Sequence, residues 1–375
     1  MKFNHMKMAA ALIALTLSLA LASDAAAGTE DAAQDAGVPV PETAASEAEA
    51  ASEAEDFDIQ SLLFGHIQDS YEWHITDIGD RSIRISLPVI VRSSTGWHCF
   101  MSSKLEDGAE YEGLFISSSD KNEGKIVELD ASGQEVRPLD ISITKNVLAL
   151  MINSAILVIL ILACARWYRR HDALGEAPSG VAAVLEPVIE MINDDVIKDS
   201  VGPDYAKYSP YLLTVFFFIL INNLMGIVPF FPGGANVTGN ITITFVLALI
   251  TFLLVNLTTS RHYWKDIFWP DVPLWLKPII VLIEIFGVFT KPFALMIRLF
   301  ANIMAGHSLI LCVVAIIFIT AKMGAAIAGS MTVVSVVFGV FMDCLELLVA
   351  FIQAYVFTML SAVFIGLARE RPEKA

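Results

Sequence analysis

The stretch Lys291-Pro292-Phe293-Ala294-Leu295-Met296-Ile297-Arg298-Leu299-Phe300-Ala301-Asn302-Ile303-Met304-Ala305-Gly306-His307 lies inside a long apolar run, with a guanidinium where a bilayer would be. An arginine at mid-membrane costs roughly 2.5–3.5 kcal/mol on insertion scales. It cannot usefully shed its proton, because its pKa lies above about 12. Arg298 is therefore a poor proton carrier but a good permanent charge, able to repel cations or force a neighbouring carboxyl to ionise. The plainer alternative is an arginine near a helix end, reaching up to the headgroups.

The neighbours favour the first reading. Glu284, Lys291 and Arg298 are spaced by seven and share one helical stripe, which Asn302 extends by a turn. His307, nine residues beyond Arg298, projects from the opposite face. The next apolar segment carries Asp343, Glu346 and Gln353, the last two again seven apart. Between the segments, residues 322–330 include Gly324 and Gly329 and read as a hairpin turn. In an antiparallel helix pair, residues at equal depth have residue numbers of constant sum. Arg298 with Gln353 and His307 with Glu346 obey that rule to within two, about a turn centred near residue 326. The rule also sets Glu284 level with Arg369-Glu370-Arg371.

The string Lys291-Pro292, then Arg298-Leu299-Phe300-Ala301-Asn302-Ile303-Met304-Ala305-Gly306, closely resembles the a subunit of rotary F-type ATP synthases. So do Glu346, Gln353 and Asn222-Asn223-Leu224-Met225-Gly226-Ile227-Val228-Pro229, and the resemblance covers residues 140–370. Two departures stand out. Many members have Gly where Ala301 stands, and some bacterial members carry the His307 and Glu346 pair exchanged. An exchange of acid and imidazole across one contact agrees with the depth rule. The resemblance implies a stator subunit of the Fo sector, non-catalytic in itself, whose two proton half-channels are separated by Arg298 as the ion-release charge. It implies Glu284, Asn302, His307, Glu346 and Gln353 along the proton path. The implied partners are a ring of c subunits each with one carboxyl, the b-subunit peripheral stalk, the rest of the F1Fo ATP synthase and the lipid bilayer of a bacterial inner membrane.

Composition agrees with a membrane chain. Its 375 residues are 55% hydrophobic, with a mean hydropathy of +0.63. The net charge of −16 is concentrated near the front: residues 30–58 hold ten acids and no Lys or Arg. The expected class is an all-α polytopic membrane protein with about five spanning helices, a surface amphipathic helix and a small periplasmic α+β extension. Residues 1–22 read as a signal peptide, with basic Lys2 and Lys7, an apolar core and the small-residue site Ala20-Leu21-Ala22. Residues 23–56 read as an acidic disordered linker, 57–140 as the periplasmic extension and 141–375 as the membrane-embedded domain. Within the extension, residues 57–73 suggest an amphipathic helix, 82–87 a strand ending at Pro88, and 125–129 a second strand.

Positive residues set the topology. A span over 147–165 ends in Arg166-Trp167-Tyr168-Arg169-Arg170, which marks the cytoplasmic side. Residues 181–196 read as an amphipathic helix on that surface. Residues 211–228 cross outward, 229–234 turn, and 242–257 return to Arg261-His262-Tyr263-Trp264-Lys265. The segments 275–321 and 328–367 exceed the ~20 residues that span a bilayer, so they must tilt or bend. The C-terminus is then cytoplasmic.

Other chemistries find little support. No phosphate loop occurs, since Gly124-Lys125 lacks the upstream glycine and the following hydroxyl. His66, His74 and His98 match no zinc spacing, and the four cysteines imply no disulfide framework. No cofactor, metal or nucleic-acid partner is expected. Two rival functions remain: a self-contained secondary transporter using Arg298 as an anion or counter-ion site, and a scaffold whose buried charges lock assembly. The first predicts an internal repeat, and no second Arg-bearing segment echoes 284–307. The second predicts that Arg298→Lys leaves transport intact.

Overall fold

The computed structural model describes residues 69–78, 81–105, 108–119, 122–130, 133–171, 176–228, 231–270, 272–321 and 325–369. The expected signal peptide and linker, the first part of the helix expected over 57–73, residues 322–324 of the expected turn and the end of the basic tail lie outside these residues. Residues 325–330, expected in that turn, open the last helix instead.

The extension is built from short strands. They are β1 (Glu72–Ile78), β2 (Arg81–Ser86), β3 (Pro88–Ser93), β4 (Gly96–Met101), β5 (Leu114–Ile116), β6 (Ile126–Leu129), β7 (Glu135–Val136) and β8 (Leu139–Asp140). β1 and β2 form an antiparallel pair, and the other strands form two three-stranded sheets in the orders β4-β3-β8 and β5-β6-β7. The strands expected over 82–87 and 125–129 are β2 and β6. The helix expected to reach residue 73 is corrected at its end, because Glu72 and Trp73 already open β1. The β-branched run Ile75-Thr76 with its aromatic neighbour suits a pleated surface better than a helix. The extension has its own core of Tyr71, Val89, Val91, Phe100, Leu105, Leu114 and Ile126. Alternation along β3 supplies two of these, Val89 and Val91, from one face.

Five helices among the described residues are long and apolar enough to cross a membrane, and the chain is a polytopic membrane protein. They belong to α1 (Lys145–Arg170), α2 (Val181–Glu190) running on into α3 (Tyr205–Ile227), α4 (Ile241–Thr258), α6 (Lys277–Ala321) and α7 (Ala325–Arg369), with the short α5 (Arg261–Phe268) between α4 and α6. The helix expected over 181–196 starts at the surface, with Val181 and Val184 exposed. It then widens into a π-helix at Met191–Lys198 and turns inward. Ile192, Val196, Ile197 and Val201 are buried in the main core, so a purely surface helix is too simple a description. α3 is the centre of that core, where Leu212, Val215, Phe216, Phe218 and Ile219 have no exposure. Each of α6 and α7 has 45 residues, or roughly 68 Å of helix at 1.5 Å per residue. That is more than twice the ~30 Å hydrocarbon core, so neither stands upright across it.

The two parts are bonded together at the start of α1. Its first amides lack helical partners. Lys145 donates its backbone N–H to Ser70 O at 2.9 Å, and Asn146 donates to Asp69 Oδ1 at 3.0 Å. Burial raises the pKa of Asp69, although the amide of Asn146 opposes the shift. Ile143 N–H donates to Pro88 O and Ile141 N–H to Ile90 O, zipping the connecting segment onto β3.

The opposite end is closed by Arg369. Its guanidinium donates to Tyr208 Oη at 2.8 Å and to Thr258 O at 3.3 Å, and it pairs with Asp204. One side chain at the end of α7 thus ties down the start of α3 and the end of α4. Close by, a Cβ at Gly366 would sit 2.0 Å from the backbone oxygen of Ser200, so α7 touches the 199–201 turn through bare backbone. Gly366→Ala should lower stability by about 1–3 kcal/mol through overpacking, read as a reduced thermal midpoint of the detergent-purified chain. Gly287→Ala, which meets nothing within 4 Å, should leave that midpoint unchanged.

Candidate functional site

The hairpin of α6 and α7 brings His307 against Glu346. Nδ1 of the imidazole lies 2.6 Å from Oε1 of the carboxyl, and the two side chains are 17% and 5% exposed. The depth rule placed this pair correctly. The approach lacks hydrogen-bond alignment, however: both carboxyl oxygens of Glu346 are buried without a donor. We read the pair as a close ionic contact whose hydrogen-bonding capacity is unused. Gly306 makes the contact possible, because a Cβ there would stand 3.1 Å from Oε1.

A wall of amides and hydroxyls surrounds the pair. Asn222, Asn223 and Gly226 come from α3, Asn236 and Thr238 from the loop before α4, Ile303 from α6 and Ala350 from α7. Thr238 Oγ1 donates to Asn223 Oδ1 at 2.7 Å, and Asn223 Nδ2 donates to Ala350 O at 3.2 Å. Asn222 Oδ1 accepts from Asn153 Nδ2 of α1 at 3.0 Å. Asn153 Oδ1 and Ser154 Oγ are buried without partners, which carries unsatisfied polar surface on into α1. The groups around His307 and Glu346 close on one another and leave no space for a water between them.

A second cleft, mostly apolar, lies toward the other end of the hairpin. Thr251, Asn256, Tyr263 and Lys291 set polar groups among Phe252, Val255, Val288, Pro292, Leu295, Phe364 and Leu367, with room for about one water. Asn256 Oδ1 is buried there without a partner. Tyr263, on α5, has its hydroxyl pKa raised by burial and, to a lesser degree, by the charge of Glu284. Glu284 itself is exposed and is not among the residues that line the cleft.

The remaining expected residues divide by face. Glu284, Arg298 and Asn302 are exposed, turned away from the core of the chain, whereas His307 and Glu346 face inward. Arg298 has no hydrogen bond or ion pair with any described residue. Gln353 is only 7% exposed, and no hydrogen bond joins it to Arg298. The sequence reading missed Asn153, Asn236 and Thr238. Asn153 could have been found, as an amide within an apolar span. Asn236 and Thr238 fall between the 229–234 turn and the 242–257 span, and nothing in their spacing points to α6.

This arrangement defines a class: a multi-pass membrane protein with titratable groups buried inside a long helical hairpin and a permanent cation on its outer face. Comparison with known sequences narrows that class. The family described as ATP synthase A chain matches residues 149–366, well over half of the chain, and the chain belongs to that family. Residues 62–144 match a separate domain of unknown function (DUF8433). The chain is 45% identical over 243 residues to ATP synthase subunit a 2 of Chlorobaculum tepidum, covering 62% of this chain and 65% of that protein. It is 45% identical to ATP synthase subunit a 2 of Chlorobium luteolum, covering 61% and 66%. Identity to ATP synthase subunit a of Myxococcus xanthus is 39%, covering 61% and 74%. The chain thus spans a little under two thirds of the Chlorobaculum protein's length.

Gly306→Ala should crowd Glu346 off its rotamer at a cost of about 0.5–1.5 kcal/mol. The cost should appear as a lowered thermal midpoint of the detergent-purified chain, measured beside wild type.

Proposed function

We propose that this chain is the a subunit of an F-type ATP synthase, the stator of the Fo sector against which a ring of c subunits turns. The observation that carries the reading is the division of the hairpin: an unpartnered Arg298 on its outward face and a buried acid–imidazole pair on its inward face. A bare guanidinium in the hydrocarbon needs a counter-ion, and a carboxyl on a passing c subunit supplies one. An opposite charge nearby lowers a carboxyl pKa by roughly 1–3 units. Each arriving carboxyl therefore releases its proton at Arg298 and binds another after leaving. Asn302, on the same face, can hydrogen-bond such a carboxyl without titrating, while the buried Gln353 lies along the path at the same depth.

Directional flow needs water access from the two sides at different places. On this reading His307, Glu346 and the closed wall of polar side chains around them form the inner end of the path from the extension side, which is periplasmic. The cleft lined by Tyr263 and Lys291 serves the cytoplasmic side, with Glu284 as its titratable group. Arg298 lies between them along α6 and blocks a direct leak, because a fixed cation repels a hydrated proton. The chain lies in a bacterial inner membrane with its extension outside and its C-terminus inside. The b-subunit stalk holds it against rotation, and nucleotide chemistry belongs to the F1 subunits. Residues 1–22 serve as signal peptide, 23–56 as linker, 57–140 as periplasmic extension and 141–375 as membrane domain.

Arg298→Ala should abolish ATP-driven acidification of inverted membrane vesicles while the complex remains assembled. Normal pumping by that variant would sink the mechanism. Exchange of the buried pair gives an independent check. His307→Glu and Glu346→His should each lose most transport, and the double variant should recover a substantial part, as expected for one contact.

A further inference from the structure

Trp73 belongs to the extension, yet it is not part of the extension's own core. That core is complete without it. Trp73 is 3% exposed and belongs to the continuous buried cluster of the membrane domain, which also takes in Ala235 and Val237 of the loop before α4 and extends as far as Ala368 of α7. Its ring meets that of Phe231 edge-on at 5.1 Å. Its cross-strand neighbour on β2, Ile85, packs against the same cluster. The largest side chain of β1 is thus spent on a loop of the other domain.

That loop forms one wall of the site. Ala235 and Val237 alternate with Asn236 and Thr238, so the buried apolar pair and the pocket-lining polar pair occupy consecutive residues. Thr238 holds Asn223. Asn236 Nδ2 lies 3.5 Å from Met304 Sδ of α6, and Asn236 Oδ1 accepts the amide of Gly239 at 2.9 Å. Irregular segments of this kind lack the ladder that fixes a helix, and their geometry follows what is packed on them. A shift of the 235–238 backbone would carry both polar side chains away from the wall around His307 and Glu346.

We propose that the extension braces this loop. Trp73 is a positioning residue that acts through Phe231, Ala235 and Val237 to set Asn236 and Thr238, and so governs how His307 and Glu346 exchange protons with periplasmic water. The inference rests on the half-channel reading given above. It gives residues 69–140 a role in the transport step rather than in export or assembly alone.

The test uses the whole complex in inverted vesicles loaded with buffers from pH 5.5 to 8, so that the luminal, formerly periplasmic, pH is set. Initial rates of ATP-driven acidification are measured for wild type and for Trp73→Ala, Trp73→Phe, Phe231→Ala, Trp97→Ala and His307→Ala. Trp73→Ala and Phe231→Ala should lower the rate about fivefold per assembled complex and move the midpoint of its luminal-pH dependence by about half a unit or more. Trp73→Phe should restore most of both. Trp97 is 59% exposed on the same extension, and its removal should change neither. Unmoved midpoints in both Trp73→Ala and Phe231→Ala would overturn the proposal. So would a failure of both to assemble, which would assign the contact to folding. Normal pumping by His307→Ala would instead overturn the half-channel reading itself.

Discussion

The carboxyl of Glu346 lies among apolar helices with no hydrogen bond to either oxygen, and much of the surrounding structure answers to it. Burying such a group costs free energy unless a partner is held against it. His307 is that partner, and its position fixes the register of α6 against α7. Gly306 keeps that register open by offering no side chain. The amides of Asn222 and Asn223 are already committed to backbone and hydroxyl partners. The wall is therefore ordered by bonds of its own and does not depend on the carboxyl.

The same hairpin leaves its other side bare. Only 17% of the most apolar window of each long helix is buried, against 56% for the stretch containing α3. Phe286, Phe289 and Phe293 of α6 and Val333, Val336, Val337 and Val340 of α7 are all exposed. Arg298 sits among them with no ion pair to any described residue. Lipid alone would satisfy the apolar residues and leave the guanidinium stranded, whereas a protein surface carrying a carboxyl would satisfy both.

How much of this the sequence revealed depended on whether local rules sufficed. Helical period and a glycine-containing turn fix depth along a hairpin, and so His307 and Glu346 could be paired before any coordinates were known. The spans followed from hydropathy for the same reason, since a bilayer leaves backbone polar groups few alternatives. The failures fall where tertiary contact decides. Residues 72–73 join a strand because β2 is there to pair with, and 191–201 bury because α3 and α7 cover them. Asn236 and Thr238 reach the site through a loop whose path no periodicity encodes. Arg298 and Gln353 show a limit of the depth argument, which gives height in the membrane but not the direction a side chain faces.

The hydrogen bonds at the start of α1 bear on how separable the extension is. Two of the first amides of that helix are satisfied by Ser70 and Asp69, which precede it by some 75 residues. Helix-end donors of this kind are usually served by the adjacent residue, and loss of such a cap costs about 0.5–2 kcal/mol. Thr144, which occupies the adjacent position, makes no capping bond with its side chain. The extension and the membrane domain therefore share a helix terminus. The boundary drawn from sequence matches runs through a joint rather than a tether, and a graft of this extension onto a relative would need both halves of that joint.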